Sequence, residues 1–265
     1  MDIPPSPPRI FSKSRRIAAR LRMESLRMKG GGVMTVAREL AEDVVDRIGF
    51  LREDFDTALV LGDRTGSLIS HLEAEGTKVT AADPAPLPGL LAVDEEAPLP
   101  DGPYALIATL GMLDTVNDLP GALVLMRRAL RPGGLMIASF AAAGSLPILR
   151  GAMLEADGDR PAPRIHPQVD VRAAGQLLTR IGFADPVVDG WGFDVGFDSF
   201  EQAVSDLRAQ AMGNVLNNAG PPLTRTGLAA AKARFEASRD PDGLIRERFE
   251  FVTLTGRNPV PHVPY

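Results

Sequence analysis

The sequence predicts an α/β protein built on a doubly wound, mostly parallel sheet. Three observations carry this. Apolar runs of strand length alternate with segments of helical periodicity from Thr57 to Phe140, the pattern that βαβ crossovers produce. The stretch TALVLGDRTGSLISHL, Thr57 to Leu72, passes from an apolar strand through a Gly-bounded turn into a helix. A second strand, TKVTAAD, ends on Asp83, 21 residues after Gly62.

Each element has its own signal. A basic helix is expected over residues 10–28, followed by a hinge at GGGVM, residues 30–34. In TVARELAEDVVDRIGF, Val36, Leu40, Val44 and Ile48 recur every four residues, and Thr35 is placed to cap the first turn. TALVLG reads as a buried strand, and Gly66 to Glu75 as a helix stopped by Gly76. PAPLPG is loop. PYALIATLG is a strand, LPGALVLMRRAL a helix, and RPGGLMIASF a turn and strand. Beyond residue 145 come two helices, SLPILRGAMLEAD and DVRAAGQLLTRIGF, the latter capped by Asp170, with a Pro-rich loop between them. ADPVVDGWGFDVGF offers one or two strands, SFEQAVSDLRAQ and TRTGLAAAKARFEA read as helices, and the alternation in LIRERFEFVTLTG marks a closing strand. The expected organisation is a basic, helical extension (1–50), a nucleotide-type cofactor-binding core (51–145), a completion of the sheet with inserted helices and a substrate-side cover (146–257), and a tail (258–265).

Composition narrows the function. The chain has 265 residues, 45% apolar and 24% charged, and no run approaches the ~18–20 apolar residues that cross a bilayer. There is no cysteine, which excludes disulfides and thiolate chemistry and fits a cytoplasmic location. His71, His166 and His262 show no metal-ligand spacing, so no metal is expected. Net charge is −5, yet residues 1–30 carry eight basic and two acidic residues, leaving about −11 on the rest. Two readings of the segment stand side by side. It is either a solvated amphipathic helix, packed through Ile10, Ile17, Leu21 and Met28, or a basic face at residues 10–29 for a membrane surface or acidic partner. Outside it no basic stripe with interleaved aromatics occurs, so nucleic acid is not the expected partner.

In doubly wound sheets ligands bind beyond the carboxyl ends of the strands, here Gly62–Gly66, Asp83 and Gly111–Asp114. Asp83 is positioned to accept both hydroxyls of an adenosine ribose. A dehydrogenase G-x-G-x-x-G is missing, as is a Tyr-x-x-x-Lys pair. The sequence ALRPGGLMIASF instead has the L-x-P-G-G form that precedes a late strand in methyltransferases.

PYALIATLGMLDTVNDLPGALVLMRRALRPGGLMIASF resembles the class I S-adenosylmethionine-dependent methyltransferases. With RIHPQVDVRAAGQLLTRIGFADPVVD and DPDGLIRERFEFVTLTG, it is similar to bacterial relatives of respiratory complex I assembly factor 5. The resemblance implies a Rossmann-like fold with helical additions and S-adenosylmethionine as cofactor. It implies a protein or small-molecule acceptor, with a complex I subunit as one candidate. Its cofactor-binding set would be Gly62, Asp63, Thr65, Gly66, Asp83, Asp94, Glu95 and Leu110. From the residues themselves, PRIHPQVD places Arg164 and His166 in a loop over the site mouth, where they either contact substrate or, the favoured reading, anchor the loop, and Asp114 is the best-placed carboxylate for catalysis.

The family's first motif is close to LDLGCGTG, whereas this chain has LVLGDRTG. Val60 stands for an acid, Asp63 for Cys and Arg64 for a Gly, and Asp114 and Thr115 stand where the family has His and Trp. Asp63 is a candidate to replace the acid missing at Val60. Arg64 requires negative φ or an altered turn, and the favoured pose sends its guanidinium outward, to solvent or to Asp63. The alternative is an inward pose that fills the cofactor site. Two functions therefore stand: a methyltransferase, or a non-catalytic assembly or scaffold protein with a degenerate cofactor site.

Overall fold

The computed structural model describes residues 9–32, 34–100 and 102–261. It contains a seven-stranded sheet in the order β3-β2-β1-β4-β5-β7-β6, with β1 Thr57–Leu61, β2 Lys78–Asp83, β3 Leu91–Ala92, β4 Tyr104–Leu110, β5 Leu130–Ala141, β6 Ala184–Phe197 and β7 Ile245–Arg257. β1 to β5 are mutually parallel, and β7 runs antiparallel between β5 and β6. The expected strands are present, and ADPVVDGWGFDVGF is one strand, with a register shift between Ala184 and Val187. The pair Leu91–Ala92 lies just beyond the PAPLPG loop, in sequence given no element, and adds a short edge to β2.

Helices cover both faces. α2 (Thr35–Leu51), α3 (Ser67–Ala74), α5 (Pro147–Asp157), α7 (Phe200–Ala209) and α8 (Arg225–Glu236) pack on one face, and α4 (Leu119–Ala129) and α6 (Val171–Ile181) on the other. Val36, Leu40, Val44 and Ile48 of α2 are all buried, as their spacing requires, each contributing roughly 1.5–3 kcal/mol. Asp170 caps α6 by accepting from Arg172 and Ala173 N–H. Thr35 does not cap α2. The cap position is Met34, without a side-chain bond, and Gln210 Oε1 accepts the Val36 N–H instead, at 2.8 Å.

The N-terminal helix departs most from expectation. α1 spans Lys13–Met28, capped by Ser12, and lies across the carboxyl ends of the strands. Its inward face is Arg16, Arg20 and Met23, whereas Ile10, Leu21 and Met28 are exposed. Of the expected packing side chains only Ile17 meets the domain, against Met23, Ala85 and Leu87. Met23 packs with Ala85 and Leu87, and Phe11 forms a bridge with Leu216 and accepts a hydrogen bond from Asn117 Nδ2. No helix among the described residues is long and apolar enough to cross a membrane. His262 and residues 263–265 of the expected tail lie outside the described residues.

Candidate functional site

The site lies where β1, β2, β4 and β5 end, and the turn after β1 shapes it. Gly62 has φ +81°, and a Cβ there would sit 2.6 Å from the Leu110 carbonyl oxygen and against the Met112 side chain. Only glycine fits both the dihedral and the space. Gly66, φ +74°, begins α3 in the left-handed region with open space around it.

Asp63 braces this turn. Its Oδ1 accepts from Thr65 N at 3.2 Å, Thr65 Oγ1 at 2.9 Å and Gly66 N at 2.9 Å, and its Oδ2 accepts from Ile69 N at 3.0 Å. The carboxylate satisfies the donors at the start of α3 and is buried. It therefore does not stand in for an acid at Val60, and it does not pair with Arg64. Thr65 Oγ1 is occupied as well, donating to Asp63 and accepting from Ser67 N.

Arg64 turns inward, contrary to the favoured outward pose. Its φ is not positive, which removes the steric objection to a side chain here. The guanidinium lines a cavity and donates through Nη1 to the Gln210 carbonyl, and its Nε is buried with no partner. Burial, with the nearby Arg20 guanidinium, lowers the Arg64 pKa to about 9 against the opposing pull of Asp83 and Asp114.

The acids expected to hold adenosine are in place but engaged. Asp83, 1% exposed, receives Arg20 in a forked pair, with Nε to Oδ1 at 2.5 Å and Nη2 to Oδ2. Oδ1 also accepts the Ala85 N–H at 2.9 Å. Glu95, also 1% exposed, receives Arg16 Nη2 at 2.8 Å, and the same nitrogen donates to the Met112 carbonyl at 3.1 Å. So an arginine does occupy the carboxylate expected to take the ribose, but it is Arg20 rather than Arg64. Asp94 is more exposed. It pairs with Lys13 at 2.7 Å and accepts from Glu96 N, so it serves the loop rather than the site. Glu96, not singled out from the sequence, accepts the Asn117 and Asp118 N–H groups at 2.9 and 2.8 Å. Leu110 is buried and its carbonyl forms the wall beneath Gly62.

From Gly111 and Met112 a cavity of about 460 Å³ runs toward α5 and α7. Its wall is mainly apolar, with Leu40, Leu149, Met153, Phe200 and Leu207 among the contributors. Asp114, in a short 3₁₀ turn at Leu113–Thr115, lines it too. Arg164 and His166 also line it, with the Arg164 nitrogens and His166 Nε2 already engaged. Arg164 pairs with Asp157 at 2.7 Å and donates to the Ala219 and Pro221 carbonyls, anchoring its loop. His166 Nε2 accepts the Val215 N–H at 2.9 Å, and the ring stands edge-on to Phe11 at 5.4 Å. Burial and Arg16 lower its pKa against the pull of Asp114. Sequence reasoning expected residues 145–170 over this mouth and missed the α7 side, residues 200–215, which forms the opposite wall. Among the described residues no cluster of His, Asp and Glu could hold a metal.

Comparison with known proteins agrees with this architecture. A family model described as a methyltransferase domain matches residues 35–186. A malonyl-[acyl-carrier protein] O-methyltransferase of Halorhodospira halophila is 31% identical over 242 residues, covering 83% of this chain and 80% of its own. The mouse mitochondrial arginine-hydroxylase NDUFAF5 is 29% identical over 235 residues, covering 82% and 68%. In fold, a solved Bacillus halodurans C-125 chain assigned as a methyltransferase superposes with TM-score 0.51 at 14% identity, covering 82% of this chain and 99% of its own.

The cofactor of this family is S-adenosylmethionine. The Gly62 cradle suits it, but the adenosine acids as arranged do not, because Arg20 and Arg16 hold Asp83 and Glu95. With its strand order, its glycine turn and these matches, the chain belongs to the class I S-adenosylmethionine-dependent methyltransferase family.

Proposed function

We propose that the chain transfers a one-carbon group from S-adenosylmethionine to an acceptor seated in the 460 Å³ cavity. The observation that carries this is continuity: one cavity touches Gly111 and Met112 at the strand ends, Arg20 beside Asp83, and the apolar chamber under α5 and α7. A cofactor bound at the strand ends would thus present its transferable group to the chamber. Ribose binding by Asp83 first requires release of Arg20, because both carboxylate oxygens already accept from it.

The acceptor in this reading is a protein or a small molecule carried by one. The relatives' names supply two classes to assay, an arginine and a malonyl group on an acyl carrier, and the resemblance in sequence suggests a respiratory complex I subunit as a source of the arginine. Asp114 is the carboxylate on the cavity wall, and it is the proposed proton acceptor for an acceptor that must lose one. The test is incubation with methyl-labelled S-adenosylmethionine and each acceptor class, beside calorimetry with S-adenosylhomocysteine. Label transfer lost in Asp114→Asn and Asp83→Ala is expected. The absence of both heat and transfer at millimolar cofactor would overturn the reading in favour of a scaffold.

A further inference from the structure

The cavity wall carries two arginines without an ion pair among the described residues, the half-exposed Arg64 and the exposed Arg208, against one unpaired acid, Asp114. Arg16 is neutralised by Glu95, Arg20 by Asp83 and Arg164 by Asp157. Arg64 makes no ion pair among the described residues. One of its three nitrogens donates to the Gln210 carbonyl, and Nε is buried without a partner. Asp114 lies on the same wall, near enough to act on Arg64 through space but not in contact with it. The lowered Arg64 pKa is the electrostatic counterpart of that geometry.

An isolated cation in an apolar chamber is unfavourable unless an anion joins it. A guanidinium presents a planar fork that suits a carboxylate. Around it the chamber offers aliphatic and aromatic surface from Leu40, Leu149, Met153, Phe200 and Leu207. A cationic acceptor placed here would meet Arg64 and Arg208 against the single unpaired acid Asp114, so like charge outweighs opposite charge on the wall.

We propose that the cavity binds a carboxylate with an aliphatic chain, the carboxylate on Arg64 and the chain against α5 and α7. This rests on the proposed transferase reading only in making that ligand the acceptor; the binding itself needs no cofactor. It also separates the two acceptor classes, favouring the acyl carboxylate over the arginine.

The test is calorimetry without cofactor, using octanoate, octan-1-ol and octylamine on the full chain. Octanoate should bind at least tenfold tighter than the alcohol, and the amine should bind more weakly than either. Arg64→Gln should weaken octanoate at least tenfold and leave octan-1-ol within threefold. Arg64→Lys, which keeps the charge, should retain most of the octanoate preference. The comparison of the three probes on the wild type stands even if both variants misfold. Octylamine binding as tightly as octanoate, no measurable octanoate binding, or an Arg64→Gln protein with unchanged octanoate affinity would each overturn the proposal. Titration with S-adenosylhomocysteine reports separately on the transferase reading, so octanoate binding without cofactor binding would sink that reading alone.

Discussion

Replacing Arg20 by alanine should destabilise the protein and improve its affinity for S-adenosylhomocysteine. Arg20 and Asp83 form a forked pair with both partners buried. Removing one partner of such a pair costs about 3–5 kcal/mol, because the other charge is left buried without compensation. Ligand-free Arg20→Ala should therefore melt well below wild type. Asp83 would keep only the Ala85 N–H donor, leaving a carboxylate suited to two ribose hydroxyls. Each charge-assisted hydrogen bond it regains contributes about 1.5–3 kcal/mol, a gain that in wild type is offset by losing Arg20. The net expectation is a tenfold to hundredfold tighter complex, about 1.4–2.8 kcal/mol. Calorimetric titration of both proteins in one buffer, with thermal unfolding alongside, measures both effects. Arg20→Lys should fall between them, since lysine keeps the charge but not the fork. A lower melting temperature with unchanged or weaker affinity would refute the reasoning, because Arg20 would then support the cofactor rather than compete with it.

Other outcomes follow from the same geometry. Asp63→Ala removes an acceptor of four hydrogen bonds and should cost roughly 2–4 kcal/mol at about 0.5–1 each, read by denaturant unfolding. Gly62→Ala forces a Cβ to 2.6 Å from a carbonyl oxygen at positive φ and should destabilise by more than roughly 2 kcal/mol; a near-neutral result would mean the turn relaxes freely. His166 has a lowered pKa in the fold, so the unfolded chain takes the proton first as pH drops below about 6.5. Stability should be full above that pH and decline on the way down toward the folded value, as the acceptor of the Val215 N–H is lost. In His166→Gln, unfolding free energies between about pH 5 and 7 should vary less than in wild type.

The sheet and most of its helices were readable from the sequence because their signals are local. A four-residue repeat in Val36, Leu40, Val44 and Ile48, or an Asp before a helix such as Asp170, needs no knowledge of distant chain. The D-x-T-G of the first turn was local too, and its carboxylate bracing Thr65 and Gly66 is a turn pattern that a closer reading would have found. The α1 face was not readable. Arg16 and Arg20 lie one helical turn apart and look solvent-facing by polarity, and only acids 79 and 63 residues away make their burial tolerable. Likewise the inward course of Arg64 depends on the carbonyl of Gln210, 146 residues downstream. Hydropathy periodicity cannot see a charge whose partner is elsewhere in the chain.

The anchoring of the N-terminal segment also sets an order of assembly. Synthesis delivers α1 before the strands it covers, as a helix of 16 residues, a length that is marginal in isolation. Its acidic partners follow at Asp83 and Glu95, its Asn117 contact later still, and the Leu216 bridge only when four-fifths of the chain has been made. α1 thus leaves the ribosome before every group that holds it in place. A chain stretch made early is fixed by groups made late, which ties the cover of the strand ends to completion of the fold.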